Sequence, residues 1–173
     1  MKDIYFFIGT KAQAIKCLPL INKSVETEGF NVFIVDSGQH VEIVEDILKK
    51  TNNPVQKISL FKNTKNISTF KESLKWLFYF IFNFLFKKSE QVSNSNSGLC
   101  IVHGDTLSTL IGLLWGKKNK LDILHLESGL TSYRLFQPFP EEIIRRIVSK
   151  FSDILICFDN EAFGNLNSRS KIQ

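Results

Sequence analysis

Ile4-Tyr5-Phe6-Phe7-Ile8-Gly9-Thr10-Lys11-Ala12-Gln13-Ala14-Ile15-Lys16 places an unbroken apolar run directly before a glycine, a hydroxyl and a segment with helical spacing. A run that short and that apolar predicts a strand buried on both faces. The same alternation recurs along the chain. Runs rich in Ile, Val, Phe and Leu fall at residues 32–35, 55–60, 99–102, 123–126 and 154–157, and segments with helical spacing fall at 12–25, 41–50, 66–86, 106–117 and 141–151. Strands that alternate with helices predict an α/β domain with a doubly wound parallel sheet.

Such sheets collect ligands at the carboxyl ends of their strands, near the point where strand order reverses. The residues that follow the predicted strands are Gly9-Thr10-Lys11, Ser37-Gly38-Gln39-His40, His103-Gly104-Asp105-Thr106 and Glu127-Ser128-Gly129. Each stretch combines small and polar side chains.

Composition narrows the class. At 173 residues the chain fits one domain with one core, and 43% hydrophobic with 23% charged residues argues against a disordered or fibrous chain. The net charge of +5 is spread along the sequence, which speaks against nucleic acid as a partner and fits an anionic small molecule or a membrane surface. Cys17, Cys100 and Cys157 show no CxxC spacing, so buried free thiols in a reducing compartment are expected. The opening Met1-Lys2-Asp3 is wrongly flanked for a secretory signal, and a cytoplasmic location is expected. Glu90 to Gly98, with Ser93-Asn94-Ser95-Asn96-Ser97 at its core, predicts a flexible surface loop between helix and strand. Residues 165–173 follow the start of another helix with no strand after it, which reads as a cut chain.

Asp105 and Glu127 end consecutive predicted strands, so a parallel sheet brings both to one edge, where two carboxylates can divide acid and base roles. The spacing equally allows Asp105 to cap the next helix and Glu127 to be a loop charge. Pro138-Phe139-Pro140-Glu141-Glu142 opens a helix with its acids in the first turn, and Arg145 lies four residues after Glu141, within reach of it or of a phosphate. Thr10 and Lys11 fall at a helix start that can receive a phosphate, although neither a GxGxxG nor a GxxxxGK[ST] pattern is present, and a glycine there is commonly only a tight turn. His40, after Gly38-Gln39, and His103, before Gly104, fit either a site or a satisfied backbone group. No spacing of His, Cys and acids suggests a metal.

Together, Phe7 to Lys16, Gly38-Gln39-His40, His103-Gly104-Asp105-Thr106, His125-Leu126-Glu127-Ser128-Gly129-Leu130 and Pro140-Glu141-Glu142 with Arg145-Arg146 resemble the non-hydrolysing UDP-N-acetylglucosamine 2-epimerases in order and spacing. The resemblance implies a GT-B-type fold of two Rossmann-like halves with the site between them. Residues 1–173 would be the N-terminal half, and the half that holds most of the nucleotide would be absent. It further implies Asp105, Glu127 and Glu141 as acid/base carboxylates, Lys16 as a nearby cation, and Thr10, Lys11, Gln39, His40, His103 and Arg145 as substrate contacts.

The implied reaction removes the C2 proton of the sugar, expels UDP to leave a 2-acetamidoglucal, and returns UDP with C2 protonated from the other face. It needs no metal or redox cofactor. The implied partners are a nucleotide sugar and either a second copy or a separate chain carrying the other half. The family commonly reads Gly-Thr-Arg-Pro-Glu, whereas Lys11, Ala12 and Gln13 stand here, and Thr131 replaces an arginine after Gly-Leu. Lysine keeps the charge but loses the forked grip on phosphate. These departures leave open a non-catalytic subunit or remnant of the same fold.

Trp76-Leu77-Phe78-Tyr79-Phe80-Ile81-Phe82-Asn83-Phe84-Leu85-Phe86 is apolar on nearly every side and too short to span a bilayer, which takes about 20 residues. Three readings stand: a buried helix before the fourth strand, peripheral insertion at a membrane interface, or docking to a partner.

Overall fold

The computed structural model describes residues 1–38, 43–60, 72, 75–76, 78, 82 and 98–170. Among these, six strands form one sheet: β1 (Lys2–Ile8), β2 (Phe30–Asp36), β3 (Gln56–Ser59), β4 (Gly98–His103), β5 (Asp122–Ser128) and β6 (Ile154–Cys157). The strand order is β3-β2-β1-β4-β5-β6, and every pair is parallel. The order reverses between β1 and β4. The described helices are α1 (Lys11–Glu26), α2 (Ile43–Leu48), α3 (Leu107–Lys118), α4 (Glu141–Phe151) and α5 (Asn160–Ser170).

The apolar run of β1 feeds both faces of the sheet. Tyr5 and Phe7 join a core cluster with Trp115, Val102, Ile123, Ile144 and Val148, while Ile4, Phe6 and Ile8 join another with Cys17, Ile21 and Ile34. Alternation of side chains across the strand explains the division. Each such side chain, taken fully out of water, contributes about 1.5–3 kcal/mol. The Tyr5 ring stacks on Phe33 at 4.8 Å and meets the edge of Trp115 at 5.5 Å. Helix α3 reaches this core closely because Gly116 lacks a side chain: a Cβ there would lie 2.4 Å from Ile123 Cδ1.

Burial on both faces holds for the inner strands and fails at the edges. On β6, an edge strand, Ile154 and Ile156 share one face and are exposed, at 43% and 45%. Cys17 and Cys100 are buried free thiols as expected, but Cys157, on that edge, is only partly buried.

In the aromatic segment, Trp76 is buried within the main core, whereas Phe78 and Phe82 are exposed at 73% and 57%. The rest of that segment and the serine-asparagine stretch lie outside the described residues. No described helix is long and apolar enough to cross a membrane.

Candidate functional site

The strand order places the ends of β1 and β4 side by side at the reversal, and the structure ties their loops together through Gln13. Thr10 caps α1: its hydroxyl accepts from the Gln13 N–H, and Gln13 Oε1 accepts in return from the Thr10 and Gly9 amides at 3.1 and 2.9 Å. The other end of the same amide donates to the His103 carbonyl at 2.9 Å and faces the Thr106 and Thr109 hydroxyls at 3.0 and 3.1 Å. Gln13 is buried, and every polar atom of its side chain is used. Gly9 serves close approach and not a tight turn: a Cβ there would lie 2.1 Å from Ser108 Oγ and 2.6 Å from Ser37 Oγ.

Asp105 does not cap α3; Thr106 does, through a reciprocal pair with Thr109. Asp105 instead forms a close ion pair with Arg145 Nη2. The neighbouring Nη1 of Arg145 donates to Glu142 Oε2 at 2.7 Å, and Arg146 Nε donates to Glu142 Oε1 at 2.8 Å. Glu142 is fully buried and also accepts from the Thr131 hydroxyl at 2.9 Å and the Ser132 amide at 3.1 Å. Burial pushes its carboxyl up, but the hydrogen bonds from Arg146, Ser132 and Thr131, with the Arg145 charge, outweigh that and hold its pKa at about 2. The expected pairing of Arg145 with Glu141 is not what the structure shows: both outer nitrogens of its fork meet Asp105 and Glu142.

Glu127, the penultimate residue of β5, has a left-handed backbone, φ 63°, which a non-glycine residue adopts only where its surroundings impose it. Lys16 Nζ donates to both of its oxygens, at 2.8 and 2.9 Å, and His103 Nε2 lies 3.4 Å from Oε2. Desolvation lowers the His103 pKa, partly opposed by the Glu127 charge. A Cβ built on Gly104 would lie 3.7 Å from Glu127 Oε2, so Glu127 and the loop that carries Asp105 share one rim. Glu141, in the first turn of α4, has Oε2 buried with no hydrogen-bond partner.

Of the remaining expected contacts, Thr10 is engaged as a helix cap, Lys11 is exposed, and Gln39 and His40 lie outside the described residues. Sequence reasoning did not single out Glu142, Gln13 or His125 as organisers of this edge. His125 is fully buried; its Nε2 lies 2.8 Å from the Gly104 carbonyl, and its Nδ1 lies 3.3 Å from Ser149 Oγ. A carbonyl only accepts, so Nε2 carries the proton and Nδ1 accepts from the serine. Desolvation lowers its pKa and favours this neutral form. A histidine within an apolar strand is the available signal for such a role. Among the described residues, no group of three or more His, Cys, Asp or Glu side chains is arranged to hold a metal ion.

A doubly wound lobe with cation-paired carboxylates on its carboxyl edge is the class of protein that fold and site define. The model for UDP-N-acetylglucosamine 2-epimerase matches residues 23–171, and the chain belongs to that family. It is similar to the UDP-N-acetylglucosamine 2-epimerase of Salmonella borreze, 26% identical over 88% of this chain and 38% of the relative, and to that of Neisseria meningitidis serogroup A, 28% identical over 98% and 43%. Among solved structures, the Neisseria meningitidis UDP-GlcNAc 2-epimerase bound to UDP-GlcNAc gives a TM-score of 0.72 at 27% identity, covering 98% of this chain and 44% of that one. The Methanocaldococcus jannaschii enzyme in complex with UDP-GlcNAc and UDP gives 0.68 at 25% identity, covering 97% and 43%. The sheet corresponds to one half of the GT-B-type epimerase structures, and this chain spans well under half the length of the relatives it matches.

Proposed function

We propose that residues 1–173 are the N-terminal lobe of a UDP-N-acetylglucosamine 2-epimerase, with Asp105, Glu127 and Glu141 as its acid/base carboxylates. The observation that carries this reading is the rim itself: Asp105 and Glu127 flank the Gly104 turn, and each is held by a cation, Arg145 and Lys16. Epimerisation at C2 asks for such a set. A carboxylate on one face takes the C2 proton as the C2–H electron pair forms the C1=C2 bond and the C1–O bond breaks toward the diphosphate. In the return step the diphosphate oxygen attacks C1, and an acid on the opposite face supplies a proton to C2. The buried free oxygen of Glu141 supports its place in the set, because it has a hydrogen-bonding valence to spend on a substrate.

Lys16 and the exposed Lys11 supply positive charge for the departing diphosphate. The second lobe, which the relatives carry beyond the matched region, would close the cleft and hold the uridine.

The purified chain is incubated with UDP-N-acetylglucosamine in deuterated water, and C2 exchange is followed with formation of the N-acetylmannosamine nucleotide. Both signals, lost together in Glu127→Gln, are the expected result for a lobe that assembles a working site. Silence from the folded chain, alone and with the second lobe added, would overturn the catalytic reading.

A further inference from the structure

We propose that Glu142 is a positioning residue for Asp105: a fully buried anion that orients the Arg145 guanidinium, whose second outer nitrogen then sets the Asp105 carboxylate on the rim. The proposal rests on the reading of Asp105 as an acid/base carboxylate.

A carboxylate offers about four acceptor sites, and Glu142 fills that number with Arg145, Arg146, Thr131 and the Ser132 amide. Arg146 and Thr131 take Oε1, while Arg145 and Ser132 take Oε2. With both oxygens bound on two sides, the carboxylate plane cannot turn. The guanidinium of Arg145 is planar and its two outer nitrogens move together, so fixing Nη1 at 2.7 Å from Glu142 also fixes Nη2, the nitrogen that meets Asp105. The Arg145 side chain is only 12% exposed, which leaves water little part in this geometry.

The sequence spacing serves the same end. Glu142, Arg145 and Arg146 fall three and four residues apart on α4, so one helix face carries the anion and both cations. Asp105 arrives from a different loop and meets only the far end of the relay. Because both outer nitrogens of Arg145 meet carboxylates, its role is to orient Asp105, and the charge for substrate phosphates falls to the lysines.

Side-chain nitrogen NMR of the ¹⁵N-labelled chain tests this without substrate. The Arg145 signals are assigned by their loss in Arg145→Lys. A guanidinium held at both outer nitrogens rotates slowly and gives separate Hη resonances; this is the expected wild-type result. Glu142→Gln and Asp105→Asn should each merge them, and Glu142→Asp, which shortens the reach while keeping the charge, covers the case in which the glutamine variant does not fold. Thr131→Val removes a donor from Glu142 without touching Arg145 and should leave them separate. In parallel, the Asp105 carboxyl ¹³C shift should move in the folded Glu142 variant, as it does in Arg145→Lys.

Separate Arg145 resonances and an unmoved Asp105 shift in a folded Glu142 variant would show that Glu142 only anchors the loop at residues 131–132, and would overturn the proposal. Since no turnover is measured, failure here leaves the epimerase reading standing, and failure of the exchange assay leaves this relay standing.

Discussion

Asp105 and Glu127 stand at the ends of neighbouring strands, but Asp105 is paired with an arginine 12% exposed, and Glu127 with a lysine 52% exposed. The first cation is anchored from behind by the fully buried Glu142; the second extends from α1 and touches Glu127 from the solvent side. In a dry setting the geometry is imposed by the fold, and breaking it strands charges. In a wet setting the pair is screened and contributes little to stability, so an incoming anion can draw the lysine away at small cost. The rim thus joins one carboxylate preset by the fold to another whose partner can yield to a ligand.

The largest effect should come from the dry side. Glu142→Gln leaves Arg145 and Arg146 without their shared counterion, and a loss of about 3–5 kcal/mol in urea unfolding is expected. A loss below about 1 kcal/mol would mean that water reaches the cluster and that the contrast between the two sides is false.

Gln13→Leu comes next. The His103 carbonyl keeps its bond from Thr109 Oγ1 at 2.7 Å, but the buried Gly9 amide loses its acceptor, and unfolding should register about 1–3 kcal/mol. Equal stability of the variant would show that the two loops are held together by apolar packing alone.

Acid should separate the contributions by pH. His103 and His125 have folded pKa values below their ordinary 6.5, so the unfolded chain binds more protons and stability falls as pH drops below that value. Glu142 behaves as a depressed carboxylate: its contribution is present above 4.5 and is lost as pH falls toward its folded value of about 2. Melting temperature followed across pH should show the histidine stage in wild type and a smaller one in His125→Gln. A flat profile between pH 7 and 5 would contradict the buried neutral histidines.

Lys16→Ala should cost least in stability, about 0–1 kcal/mol, while C2 exchange falls steeply if the lysine serves the diphosphate. A large loss of stability would place Lys16 with the structural side of the comparison.

The fold was legible because strands such as 4–8 and 123–126 are apolar on both faces and are separated by helical spacing, a local signal that needs no partner. The open face of β6 was not legible, since whether Ile154 and Ile156 are covered depends on what lies across the sheet. For the site, residue order alone brought Asp105 and Glu127 to one strand edge and left His103 open between a site and a backbone role, while Lys16 entered only through the family resemblance. What escaped was pairing across long separations: Arg145 finds Asp105 forty residues away, and Gln13 finds His103 ninety away. Glu142 looked like a helix-dipole residue beside Glu141, and only packing shows that one of the two adjacent acids is fully buried.

The proposed function assigns the proton chemistry of the family to this rim. Joining residues 1–173 to the second lobe of the Neisseria meningitidis relative, and following deuterium at C2 of UDP-N-acetylglucosamine, tests it most directly. Incorporation that disappears in Glu127→Gln and Asp105→Asn is the predicted result. A folded chimera that binds UDP but incorporates no deuterium would contradict it.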